Sequence, residues 1–335
     1  MSGELVAVLA VILAAMAFDY TNGFHDAANA IATSVSTRAL TPRVALVVAA
    51  AGNLVGAYFG AGVAKTVGEG LVTLPQGVQS LGVVFAGVLG AIVWNIITWY
   101  FGLPSSSSHA LFGGLVGATL FAAGGVVHWN TITAKVIIPM VLSPIVGGLL
   151  GFLFMLAVMW IFRNGNPRRL NTGFRRAQSV SATAMAVGHG MQDAAKTMGI
   201  IVLALYTGGF QDNRDEIPWW VFLTSATMLA LGTYAGGWRI IRTLGRRVVH
   251  LGPAEGFSAE TVASSVLYFN ALVLNAPIST THTITSAIMG VGSTKRLSAV
   301  RWGVAGNIVT AWILTFPASA TIAVLVYLLV RPLFS

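Results

Sequence analysis

Two aspartates, Asp26 and Asp193, and two hydroxyl tracts, Ser106-Ser107-Ser108 and Ser279-Thr280-Thr281, are the side chains here best suited to chemistry, and all lie in apolar surroundings. An aspartate at the centre of a membrane helix costs about 2.5 to 3.5 kcal/mol to insert, so one found there is a functional-site candidate by default. Each tract follows a proline, Pro104 or Pro277, and precedes a histidine, His109 or His282. Proline ends the preceding helix, and small hydroxyl residues can cap a new one. The free N–H groups and positive dipole end of such a half-helix suit an anion.

Two carboxylates would repel an anion unless positive charge came with it, which assigns Asp26 and Asp193 to holding a proton or a metal cation. Asn22 and His25 flank the first, His189 and Gln192 the second. Asn29 in the first cluster is replaced by Lys196 in the second, whose ammonium can stand where a monovalent cation would bind, pairing with Asp193 or with the anion. His109 and His282 are candidates to donate to the anion or shuttle protons, or to serve structurally. Asp19, seven residues before Asp26, shares its helical face and is read as either an interface residue or part of a cation path. Gly23, Gly188 and Gly190 are expected to let the backbone unwind beside the aspartates.

The elements that position these residues follow from composition. Of 335 residues 56% are hydrophobic and 9% charged, with mean hydropathy +0.79, whereas soluble domains carry about a quarter charged residues. Too little polar surface remains for a soluble protein, so the chain is read as a multi-span membrane protein. The absence of cysteine excludes disulfides, thiolate chemistry and Cys-bound zinc. The net charge of +9 is not read as a nucleic-acid surface, because the arginines fall in short interhelical segments. The N-terminal stretch, with no basic lead or cleavage site before Asp19, reads as a first span rather than a removed signal peptide.

Apolar segments fall at 4–37 (interrupted), 43–64, 80–101, 104–125 and 134–162, then 178–205, 218–237, 255–275, 277–293 and 303–330. Arginines 163, 168, 169, 175 and 176, then 239, 242, 246 and 247, and finally Lys295, Arg296 and Arg301 place three linkers in the cytoplasm by the positive-inside rule. Alternation puts both termini and the Asp212/Asp215/Glu216 linker outside. The expected units are a repeat over 1–162, a basic cytoplasmic loop over 163–177 and a second repeat over 178–335.

The units are repeats because an offset of 173 residues lays Pro104 on Pro277, His109 on His282, Gly117 on Gly290, Trp129 on Trp302 and Pro144 on Pro317. An offset of 167 lays Gly23-Phe24-His25-Asp26-Ala27-Ala28-Asn29 on Gly190-Met191-Gln192-Asp193-Ala194-Ala195-Lys196. An odd number of crossings per unit inverts the second copy. The expected fold class is an all-α integral membrane protein with two inverted-topology repeats of about five spans each, and broken or half-helices meeting at mid-membrane. That architecture belongs chiefly to transporters. An intramembrane hydrolase would need one asymmetric nucleophile and base, so no enzymatic activity is expected. A channel would need continuous charged or carbonyl rings.

Asn22-Gly23-Phe24-His25-Asp26-Ala27-Ala28-Asn29-Ala30, His189-Gly190-Met191-Gln192-Asp193-Ala194-Ala195-Lys196 and the paired Pro-x-Ser-x-x-His stretches resemble the signatures of the inorganic phosphate transporter (PiT) family, in order and over nearly the whole chain. The resemblance implies a homodimeric phosphate symporter of the plasma membrane. Phosphate would then bind at Ser106, Ser107, Ser108, Ser279, Thr280, Thr281, Asn29 and Lys196. Sodium-coupled members resemble Gly-x-Asn-Asp in both signatures, where this chain has His25 and Gln192 before its aspartates. The variant is similar to bacterial low-affinity members, which implies proton coupling and phosphate carried as a neutral divalent-metal complex. Sodium coupling is the alternative; a sulfate permease or anion channel is more distant. No cofactor or nucleic-acid partner is expected.

Overall fold

The computed structural model describes residues 3–334. Met1, Ser2 and Ser335, the extreme ends assigned to the outside, lie outside the described residues. Thirteen α-helices are described: α1 Gly3–Ser36, α2 Pro42–Ala57, α3 Ala61–Gly70, α4 Val78–Phe101, α5 Ser107–Phe121, α6 Trp129–Ile132, α7 Ile138–Ile161, α8 Pro167–Thr207, α9 Trp219–Ala235, α10 Trp238–Arg242, α11 Pro253–Leu272, α12 Thr280–Ser293 and α13 Trp302–Val330. A π-turn over Thr133–Ile137 joins α6 to α7. The strands β1 Val72–Thr73 and β2 Val126–Val127 form a single antiparallel pair.

Four stretches, Gly3–Ser36, Val78–Phe101, Trp129–Ile161 and Trp302–Phe334, are long and apolar enough to cross a membrane. Pro42–Ala57 with Ala61–Gly68, bent by 69°, could form a fifth. α5 has 15 residues and α12 has 14, about 21 to 23 Å at 1.5 Å per residue. These two are the half-helices, too short for a bilayer core of about 30 Å.

Two expectations are corrected. α1 and α8 run unbroken past both aspartates, so the glycines beside them do not unwind the backbone. They allow close helix crossings instead. A Cβ on Gly23 would lie 2.4 Å from the Leu229 carbonyl oxygen of α9, and one on its counterpart Gly190 would lie 2.4 Å from that of Asn53 in α2. Segment 163–177 is also no loop beyond its first residues. Asn166 accepts the Arg168 and Arg169 N–H groups and Pro167 occupies the first turn, starting α8 there, so four of the five arginines ride on a helix.

The packing pairs off between the repeats. α2 packs on α8 as α9 does on α1, α5 on α13 as α12 does on α7, and α4 on α13 as α11 does on α7. Each half-helix therefore rests against the last helix of the other repeat. The α4–α5 turn lies beside Arg239 and Thr243, which donate to the Tyr100 and Gly102 carbonyls. The α11–α12 turn lies beside α3 and Lys135, through Thr66 to the Asn275 carbonyl and Lys135 to that of Leu274. Lys65 of α3 pairs with Asp215. At the opposite end Arg301 reaches the carbonyls of Arg246 and Arg247. The two hairpins thus point their turns toward opposite ends, as inversion requires.

The matched Gly117 and Gly290 sit where α5 meets α13 and α12 meets α7. A Cβ on Gly290 would lie 1.9 Å from the Gly148 carbonyl oxygen, and a backbone oxygen cannot swing aside. Gly290→Ala is therefore expected to destabilise the protein by about 3 kcal/mol, the upper part of the overpacking range. Gly306→Ala, with nothing within 4 Å of its Cβ, should be close to neutral. Thermal unfolding in detergent checks both, and an unchanged midpoint for Gly290→Ala would contradict the account.

Candidate functional site

The four clusters converge in one buried site because α1 and α8 pass side by side, and the half-helices α5 and α12 both begin against them. One ligand atom each from Asp26, His189 and Asp193 lie within 4.8 Å of one another. The two matched carboxylates, 167 residues apart in the chain, thus meet at the centre. They are 3% and 1% exposed, deep enough that water does little to screen their charges.

Around them the two repeats match contact for contact. Asn29 Nδ2 donates to Thr281 Oγ1 at 2.9 Å and Thr280 Oγ1 at 3.2 Å. Its counterpart Lys196 donates to Ser108 Oγ, the counterpart of Thr281, at 2.6 Å. In each case a helix of one repeat grips the hydroxyl tract of the other. Within a repeat the match continues: His25 Nε2 lies 3.3 Å from Ser105 Oγ, and Gln192 Oε1 accepts the N–H of Ile278, the residue corresponding to Ser105, at 3.1 Å. Gln192 also donates to the Ala276 carbonyl.

The carboxylates are held differently. Asp26 Oδ1 lies 2.5 Å from His25 Nδ1, and its Oδ2 accepts from Thr281 at 3.4 Å. Asp193 Oδ1 takes the Lys196 ammonium at 2.9 Å, and Oδ2 lies 3.1 Å from His189 Nε2. That last pair is close but not aligned as a hydrogen bond, leaving both atoms without one. His189 Nδ1 meets Asn53 Oδ1 at 2.9 Å, which fixes the ring. Asp26, His189 and Asp193 together offer two oxygens and one nitrogen, a donor set suited to a divalent metal as well as to a proton or sodium. Lys196 has its third hydrogen on the Ile278 carbonyl at 3.0 Å, so its three donors are all in use.

Ser106 and Ser279 are the N-caps of α5 and α12, accepting the N–H of His109 and His282, as the sequence leads one to expect. Ser107 Oγ and Asn29 Oδ1 are buried without a hydrogen-bond partner. The two half-helix starts and the Ser107 hydroxyl form a cradle that can offer amide and hydroxyl donors to an anion, while the Asn29 oxygen remains an acceptor.

Four further candidates remain. His109 and His282 pack edge to face, 4.8 Å between ring centres, and His282 stacks on Trp312 at 4.0 Å. Asp19 is tied to Thr197 at 2.6 Å rather than to the central pair. Asn22 is buried, with its Oδ1 unpartnered.

One acidic residue escaped the sequence reading. Glu260 of α11 is fully buried and accepts from Thr33 of α1 and, on α8, from Ser181 at 2.6 Å and Gln178 at 3.2 Å. Gln178 is itself oriented by Thr37. The carboxylate knots together three helices of two repeats. Its signal was available, since an acid inside the apolar segment 255–275 follows the same rule that singled out Asp26. It has no matched acid in the first repeat and so fell outside the duplicated pattern.

A model of the phosphate transporter family matches the chain over residues 22–172 and again over 163–323. The chain is 47% identical to a probable low-affinity inorganic phosphate transporter of Rhizobium meliloti, covering 96% of this chain and 95% of that one. A protein of the same description from Bacillus subtilis is 43% identical, with 98% and 99% covered. Among solved structures, one titled a sodium-dependent phosphate transporter superposes with a TM-score of 0.89 at 24% identity, covering 98% and 99%.

Proposed function

The chain belongs to the phosphate transporter family, and from that premise we propose that it is a secondary active symporter importing inorganic phosphate across the plasma membrane. The observation that carries the reading is the convergence of both carboxylates and both half-helix starts in one buried cluster. Phosphate binds among Ser106, Ser107, Ser108, Ser279, Thr280, Thr281 and Asn29, where two positive helix ends and the hydroxyls replace its hydration. Asp26 and Asp193, with His25, Asn22, His189 and Gln192, hold the coupling charge. Lys196 neutralises Asp193 and positions Ser108 for the anion.

The coupling ion is the proton. A fixed ammonium on Asp193 takes the place of one bound cation, and His25, against Asp26, gives the first carboxylate an imidazole with which to exchange a proton. Phosphate travels as a neutral divalent-metal complex, whose metal the Asp26, His189 and Asp193 donors would hold. Motion of one repeat against the other exposes the site alternately, with the basic linkers in the cytoplasm and two chains forming a homodimer.

Uptake of radiolabelled phosphate into proteoliposomes under separately imposed gradients tests this. An inward proton gradient should drive accumulation above the external concentration, a sodium gradient alone should not, and excess sulfate should not compete. Stimulation by sodium alone would overturn the proton assignment. Only downhill equilibration under both gradients would overturn symport.

A further inference from the structure

The symporter reading leaves one buried carboxylate without a task. Asp19 is 0% exposed, lies within α1, and has no cationic partner among the described residues. Its Oδ1 accepts from Thr197, while Oδ2 is buried with no hydrogen-bond partner. The charge that reaches it from α8 is that of Asp193, which has the same sign as its own and repels it. The rest of that wall is Thr197, beside Lys196, whose ammonium is committed to Asp193, Ser108 and Ile278. α9 brings Ser225 and no charged side chain. A carboxylate so placed is a poor packing element, because an apolar or amide side chain would fill the same space without the desolvation of a charge.

Its position gives it a use. Asp19, Asn22, Asp26 and Asn29 stand at spacings of three, four and three along α1, which places them on one helical face over about 15 Å of rise. All four are buried. Asp19 and Asn22, on the way to Asp26, each keep an oxygen with no protein donor. A file of acceptor oxygens unsatisfied by the protein's own hydrogens is suited to a proton or small cation and hostile to an anion.

We propose that Asp19 is a loading station for the coupling cation, two turns before Asp26 on the side where α1 begins, from which that cation passes by Asn22 to the central carboxylates. The inference rests on the symporter reading and adds a second acidic site to it. If the cation is a proton, Asp19 becomes a neutral acid on loading and returns to the carboxylate as the proton moves on to the Asp26 and Asp193 cluster. If it is sodium, Asp19, Asn22 and Thr197 supply the oxygens.

Asp19→Asn keeps the shape and the Thr197 contact and removes the charge. In proteoliposomes, with the gradient that drives the wild type, the half-saturating concentration of the driving cation should rise at least tenfold. Half-saturating phosphate, measured at saturating cation, should move less than threefold, and Asp19→Glu should recover most of the cation response. Titrating protons at fixed sodium, then sodium at fixed pH, identifies which cation the station handles. An unchanged cation response in Asp19→Asn would make Asp19 an interface residue and overturn the proposal. An equal loss of phosphate affinity in a protein that still elutes as a folded species would place Asp19 in the anion site and overturn it too. Wild-type protein showing no cation-driven uptake would instead sink the symporter reading, and the station with it.

Discussion

Asp26→Asn is expected to reduce gradient-driven phosphate uptake at least a hundredfold while leaving the protein folded. The substitution is isosteric and keeps an oxygen for Thr281, so the hydrogen bond at 3.4 Å can persist. What it removes is a negative charge within 4.8 Å of the His189 and Asp193 ligand atoms. At that range a unit charge pair is worth about 3.5 kcal/mol at an effective dielectric of 20, about two and a half decades in cation affinity. The amide also cannot exchange a proton with His25. The measurements are uptake of radiolabelled phosphate and, for folding, thermal unfolding in detergent. Wild-type accumulation by a folded Asp26→Asn would remove the coupling charge from this site.

Lys196→Met should be the most destabilising single change in the site as well as a transport null. Lys196 is 1% exposed and gives its three donors to Asp193, Ser108 and Ile278. Methionine is similar in length but leaves Asp193 ionised and buried beside a misaligned His189, and breaking one side of a buried pair costs about 3 to 5 kcal/mol. Removing both charges together, in Asp193→Asn with Lys196→Met, should recover much of that stability. It should recover no transport, because Asp193 is lost and Ser108 has no ammonium to hold it. Detergent melting curves of the two singles and the double form the cycle. Equal destabilisation in the double and in Lys196→Met would show that the ion pair is not what Lys196 contributes to the fold.

Much of this site was legible before any coordinates. An acid in an apolar segment is conspicuous, and the duplication at two offsets singled out the matched polar residues from the rest. The half-helices were readable too, since Pro104 and Pro277 followed by hydroxyl residues are stop and start signals. Glycine was harder to read. Gly23 and Gly190 permit both an unwound backbone and a tight crossing, and only the neighbouring carbonyls of Leu229 and Asn53 decide for the crossing. The arginine cluster misled in a similar way, because charge places a segment near the membrane surface but does not distinguish a loop from a helix projecting beyond it. Glu260 was missed because it has no matched acid in the first repeat, and its three donors, from residues 33, 178 and 181, are not near it in the chain.

Membrane residence, two inverted copies and the identity of the polar side chains followed from amino-acid order, because hydropathy, proline stops and sequence offsets are properties of the chain itself. The pairing of those side chains did not. That Lys196 holds the serine tract of the first repeat while Asn29 holds the threonine tract of the second depends on α5 and α12 each packing against the other repeat's last helix. Such an exchange is set by which helix faces fit closely in three dimensions, and neither repeat carries it alone.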